Sequence, residues 1–144
     1  MSFAIDANIL LYASDGDSPF HQPAIAFLER CARGPELVNV PWPTVMAYLR
    51  IATHPTIFER PLSPAEAIAN VEALISRPHV RVLSEGEGFW SVFREVTGTV
   101  LTRGNLVPDA HIASLLRQHG IRELYTRDRD FRKFDFLRVC DPFA

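Results

Sequence analysis

Short apolar runs alternate with stretches of helical spacing along this chain, and that alternation restricts its architecture more than any other feature. Ser2–Asp6, Leu37–Val40, Val80–Leu83 and Glu123–Thr126 read as strands, with Leu137–Cys140 a fifth candidate. Helices are expected from Ala7 to about Tyr12, from about Pro23 to Arg33, and along the Val45, Leu49, Ala52 stripe. Three more are expected from Ser63 to Arg77, through Phe89, Trp90, Phe93 and Val96 as a longer amphipathic helix, and from about Pro108 to His119. The sharpest boundary is Ser63-Pro64-Ala65-Glu66, a capping box with proline at the first helical position. Strands alternating with helices predict a three-layer α/β/α domain around a central, mainly parallel sheet of about four to five strands. The chain has 144 residues and no repeat, linker or low-complexity tract, so residues 1–144 are expected to form a single domain.

Composition removes several functions. Hydrophobic residues make up 47% and charged residues 22%, as in a folded domain and unlike a disordered one. A formal charge of -2 gives no bulk cationic field for holding nucleic acid without specificity. Lys133 is the only lysine, which excludes a P-loop or a Schiff base elsewhere in the chain. Cys31 and Cys140 form no CxxC pair and read as small core hydrophobes of a reducing compartment. The first basic residue is Arg30, so the start lacks the charged region of a signal peptide. No apolar run approaches the roughly 20 residues that span a bilayer. A cytoplasmic protein without a membrane segment is expected.

The aspartates carry the chemistry. Asp6 ends the first strand, Asp128 and Asp130 follow the fourth, and Asp109 opens the helix just before that strand. Ligands of open parallel sheets bind beyond the carboxyl ends of the strands, which is where these residues fall. Each has an ordinary alternative: Asp6 as a helix cap, Asp109 at the positive end of a helix dipole, Asp128 and Asp130 as turn residues. Their joint placement argues for more. Asp109 shares helical register with Ile112, Ala113 and Leu116, the stripe that faces the sheet. Carboxylates gathered in one crevice repel and raise one another's pKa unless a cation neutralises them. Oxygen ligands without cysteine or a histidine set favour Mg²⁺ or Mn²⁺ over zinc. Asn8 is placed to bind a metal water or to orient a carboxylate, and equally to be a plain surface amide.

Three blocks carry a resemblance. Asp6-Ala7-Asn8-Ile9-Leu10-Leu11-Tyr12, Leu106-Val107-Pro108-Asp109-Ala110-His111-Ile112-Ala113 and Thr126-Arg127-Asp128-Arg129-Asp130-Phe131 resemble the signature blocks of PIN-domain ribonucleases. The chain is most similar to the VapC-type toxins of bacterial toxin–antitoxin pairs. Trp42–Thr53 resembles a helix of one branch of that group. The resemblance implies an acidic pocket binding Mg²⁺ or Mn²⁺ and hydrolysis of RNA by a water that the metal activates. It also implies a homodimer and restraint by a cognate antitoxin protein. Asp6, Asp109 and Asp128 take metal-ligating catalytic positions, and Asp130 that of an auxiliary catalytic carboxylate. Many relatives carry a glutamate on the second acidic helix, where this chain has Ala47, and neither Glu36 nor Glu59 is an obvious replacement. A PIN-fold module that binds RNA or an antitoxin without efficient turnover is therefore the alternative reading.

Substrate grip has to come from local charge. From Arg117 to Arg138, seven basic side chains stand against four acidic ones, a net +3. Arg127 and Arg129 flank Asp128 as candidate contacts to RNA phosphates, and Arg103 and Asn105 precede the Asp109 helix as further candidates. Phe20, Trp42 and Phe58 are candidates for an exposed apolar patch, with burial in the core as the alternative. A phosphoaspartate enzyme would need a second aspartate where Asn8 stands and a phosphate-holding lysine, so the sequence argues against that class.

Overall fold

The computed structural model describes residues 2–144. Strands β1 (Ser2–Ile5), β2 (Leu37–Pro41), β3 (Val80–Leu83), β4 (Glu123–Tyr125) and β5 (Arg138–Cys140) form one sheet in the order β3-β2-β1-β4-β5. Every pairing is parallel. The expected mainly parallel sheet is thus wholly parallel, with five strands.

Alternation within β1 sorts the core into two layers. Phe3 and Ile5 point to one face with Val38 and Val40 of β2, while Ala4 points to the other with Leu83 and Leu124. Helices α1 (Ala7–Ser14), α2 (His21–Ala32), α3 (Trp42–Ala52) and α4 (Pro64–Ile75) cover the first face through Ile9, Leu10, Phe27, Val45, Tyr48 and Ala67. Helices α5 (Phe89–Thr97) and α6 (Leu106–Gln118) cover the second with the 3₁₀ turn Arg129–Lys133, whose Phe131 is fully buried. The three-layer expectation holds.

The capping box at the start of α4 is formed: Glu66 N–H donates to Ser63 Oγ at 3.1 Å, and Ser63 N–H to Glu66 Oε1 at 3.1 Å. Two helices depart from the sequence reading. α5 spans only nine residues and none is deeply buried, so it is shorter than its apolar spacing suggested. α6 starts at Leu106, two residues ahead of Pro108. Proline is tolerated there because the first four N–H groups of a helix have no partner within it. Asp109 is consequently the fourth residue of α6, still inside its first turn, and not the residue that opens it. The cysteines are free and half-buried, and burial pushes the Cys31 thiol up to about 11. Among the described residues, no helix is long and apolar enough to cross a membrane.

The chain order fixes where a ligand would bind. From β1 the chain runs outward through β2 to β3, then returns to lay β4 on the other side of β1. The direction of winding therefore reverses between β1 and β4, and the crevice at a parallel sheet's carboxyl edge opens at such a point.

Candidate active site

Asp6 and Thr126 occupy that reversal point, each one residue beyond its strand. Asp6 N–H donates to Tyr125 carbonyl at 3.0 Å, which extends the β1–β4 pairing to the strand end. The Asp6 side chain is held on both oxygens: Ala7 N–H donates to Oδ1 at 2.8 Å and Thr126 Oγ1–H to Oδ2 at 2.8 Å. It caps α1 and lies in the crevice at once, so the ordinary role and the functional placement coexist. Burial pushes its pKa up, the bonds from Thr126 and Ala7 pull it back, and the Asp128 charge raises it further.

Thr126 organises the crevice and was not singled out in the sequence. Its hydroxyl is buried, donates its one proton to Asp6, and accepts from Asn8 Nδ2 at 3.1 Å and Asp128 N–H at 2.9 Å. A hydroxyl has one donor and two acceptor sites, so all of them are used. Because the proton goes to Asp6, Asn8 has to present its NH₂ group to Thr126. The Asn8 carbonyl oxygen is then turned away and buried without a partner among the described residues. The local signal was legible: a threonine two residues before an aspartate forms a side-chain turn onto its N–H.

Asp128 repeats that device one step on, its Oδ1 accepting from Asp130 N–H at 2.9 Å as the 3₁₀ turn begins. The turn brings Asp130 round beside Asp128 and faces both toward α6. Carboxylate oxygens of Asp109, Asp128 and Asp130 lie within 4.8 Å of one another. The tightest group is therefore Asp109, Asp128 and Asp130, whereas the sequence reading had grouped Asp6 with Asp109 and Asp128. Asp6, whose oxygens accept from Ala7 and Thr126, is not in that group, yet its charge is still felt at Asp109. Burial, and then Asp128, Asp6 and Asp130, push the Asp109 pKa up to about 7, with Lys133 pulling it down.

Such crowding of hard oxygen donors, with an unpartnered buried amide oxygen beside them, fits a hydrated divalent cation. Ala47 lies in α3 and supplies no carboxylate. Lys133 Nζ is 3.4 Å from Asp130 Oδ1.

The candidate substrate contacts divide. Arg127 is engaged within the fold: its Nε donates to Asp141 Oδ2 at 3.2 Å, and its guanidinium lies 4.0 Å from the centre of the Phe20 ring. Arg129 lines a small recess with Arg132 and makes no ion pair among the described residues. Arg103 and Asn105 line a larger cleft of about 640 Å³ that reaches Asp130. Of the aromatic candidates for a patch, Phe58 is buried, Phe20 stacks on Phe143 and Trp42 alone stays exposed, so no common patch forms.

Comparison with known proteins identifies the family and the fold. The PIN domain family model matches residues 3–137. Ribonuclease VapC48 of Mycobacterium tuberculosis is 49% identical over 144 residues, covering 100% of this chain and 99% of that one. Among solved structures, VapBC-1 from nontypeable Haemophilus influenzae superposes with a TM-score of 0.71 at 18% identity, covering 100% of both chains. VapC20 of Mycobacterium tuberculosis, described as a sarcin-ricin loop cleaving toxin, gives 0.66 at 17% identity, covering 90% of this chain and 92% of that one. At those identities the two structures speak for the fold.

Proposed function

The chain belongs to the PIN-domain family, in its VapC branch, and on that premise we propose that it is a metal-dependent endoribonuclease, the toxin of a toxin–antitoxin pair. The observation that carries the proposal is the gathering of Asp109, Asp128 and Asp130 beside Asp6 where the sheet reverses its winding. In this reading Asp6, Asp109 and Asp128 hold Mg²⁺ or Mn²⁺, and Asp130 assists them. When bound, such a cation lowers the pKa of water and offsets the charge that develops on an attacked phosphate.

The chain's own residues supply orientation. Thr126 fixes Asp6 and the backbone of Asp128 through a single hydroxyl, so their relative position does not depend on the ion. Asn8 keeps a buried carbonyl oxygen without a partner among the described residues, an acceptor still to be satisfied. Arg129 offers donors to a phosphate oxygen alongside. RNA as the substrate implies work in the cytoplasm. A cognate antitoxin and a second copy of the chain are the proposed protein partners.

Incubating antitoxin-free protein with total cellular RNA and Mg²⁺ or Mn²⁺ tests the proposal. Discrete cleavage is expected, lost with chelator and lost in Asp109→Asn. Cleavage that persists in Asp109→Asn would overturn the site. Folded protein that cuts nothing with either metal would favour the module that only binds, for which Ala47 in place of a carboxylate is the supporting observation.

A further inference from the structure

We propose that the cleft between the α5–α6 connection and the 3₁₀ turn is a subsite for single-stranded RNA, with Arg103 holding a phosphate, Leu101 the face of an unpaired base and Asn105 a base edge or ribose hydroxyl. The inference rests on the ribonuclease reading and adds the path of the strand to it.

The cleft encloses about 640 Å³, within the roughly 300–1,000 Å³ of sites that take small molecules or pieces of larger ones. Asp130 lies in its wall, so a strand seated there continues directly onto the carboxylates. Its other walls carry three unspent groups. Arg103 makes no ion pair among the described residues, unlike Lys133 across the cleft, which is taken by Asp130. A guanidinium presents a fork of donors matched to phosphate oxygens.

Asn105 precedes α6 in the capping position, where asparagine normally spends its side chain on a helix N–H. Here its backbone is helical, with φ -67 and ψ -12, and the side chain makes no capping bond. The amide keeps both its donor and its acceptor. Gly104, at φ +57, turns the chain between these two residues, a conformation in which other side chains are strained.

Leu101 is the third group and selects among RNA forms. It is 77% exposed, the most open of the large hydrophobic residues, yet it lines a cleft whose other members are largely polar. An apolar side chain there gains contact only from something flat and apolar. In a duplex the base faces are stacked on one another, whereas a single strand can turn them outward. The combination of one cation, one amide and one apolar face therefore favours an unpaired strand.

Fluorescence anisotropy reads this directly, using the full chain in chelator with a labelled pool of short random-sequence single-stranded RNA, and a duplex of equal length for comparison. Wild-type protein is expected to prefer the single strand. Arg103→Ala is expected to weaken that binding roughly tenfold and to reduce its salt dependence by about one phosphate contact. Leu101→Ala is expected to narrow the preference for single strand over duplex. Arg122→Ala, just before β4 at the opposite edge of the sheet, is the control and leaves binding unchanged. All three side chains are exposed, and unaltered thermal midpoints would establish that the variants fold.

Equal losses in Arg103→Ala and Arg122→Ala, or an unchanged preference in Leu101→Ala, would overturn the subsite. If wild type still cuts total RNA in that case, the nuclease reading stands without it. Wild-type protein that neither binds nor cuts RNA would remove both.

Discussion

Thr126 Oγ1 and Asp6 Oδ2 meet at 2.8 Å across 120 residues of sequence. That bond couples the ends of β1 and β4, and the same hydroxyl accepts from Asn8 and from the backbone of Asp128. One small buried side chain thus sets the positions of three site residues. Its removal should be felt in both stability and activity.

Thr126→Val keeps the shape and deletes the hydroxyl. Asp6 Oδ2, Asn8 Nδ2 and Asp128 N–H would each lose a partner, and unsatisfied buried polar groups cost about 1–3 kcal/mol each when water cannot reach them. Urea denaturation of metal-free protein is expected to show a loss of about 1–3 kcal/mol, since part of the crevice is open to solvent. RNA cleavage should fall with it, and Thr126→Ser should recover most of both. A valine variant as stable and active as wild type would show the hydroxyl to be incidental.

Ala47→Glu probes the position where the family resemblance leads one to expect a carboxylate and this chain has none. If α3 presents residue 47 to the crevice, a fourth nearby carboxylate raises affinity for Mn²⁺, measured by calorimetric titration. Unchanged affinity would mean that residue 47 does not reach the carboxylates.

How much of this could be read in advance follows from the range of the interactions. The capping box of Ser63 and Glu66 spans four residues and is local chemistry, so its residue types announced it. The parallel sheet was legible from the alternation of short apolar runs with helical stretches, because strands joined through helices pair in parallel. Asp6 and Asp128 could be placed at one edge in advance because parallel topology brings the strand ends together there. The hydroxyl bond from Thr126 to Asp6 was not legible, because it depends on the register of β1 against β4. The 3₁₀ turn that sets Asp130 beside Asp128 was not legible either, because five residues carry too little periodicity to show in sequence.

Arg127 and Phe20 provide a test of whether a cation beside the site serves the substrate or the fold. The guanidinium lies 4.0 Å from the Phe20 ring centre, and Phe20 stacks on Phe143 with centroids 5.5 Å apart and planes 8° from parallel. Asp141 closes the set through Arg127. A double-mutant cycle of Arg127→Ala and Phe20→Leu should give a coupling of about 0.5–1 kcal/mol in stability, the range of exposed cation–π pairs. RNA binding should fall less in Arg127→Ala than in Arg129→Ala, because Arg127 already has partners. Zero coupling with a large loss of binding in Arg127→Ala would assign it to the substrate instead.

Asp109 makes the stability of the metal-free protein depend on pH in a direction fixed by its surroundings. Its pKa is about 7 in the folded chain against an ordinary value of 3.8, owing first to burial and then to Asp128, Asp6 and Asp130. Between those values the folded state holds a proton that the unfolded state has released. Stability from this group is therefore complete below about pH 4 and is lost as pH rises through about 7. Asp109→Asn cannot ionise, so groups remote from the carboxylate cluster cancel in the comparison, and the difference reports Asp109 with its coupling to Asp128, Asp6 and Asp130. In chelator, the thermal midpoint of wild type should fall relative to Asp109→Asn from pH 4 to 7 and hold a constant gap above that. Because the side chain is only half-buried, screening by solvent keeps the gap smaller than the full shift would suggest. Adding Mg²⁺ at pH 8 should close the gap, since the cation favours the ionised carboxylate and stabilises only the state that binds it. Parallel midpoints across the whole range would mean that Asp109 ionises as an ordinary carboxylate, and the crowding of charges at the sheet reversal would not be what governs it.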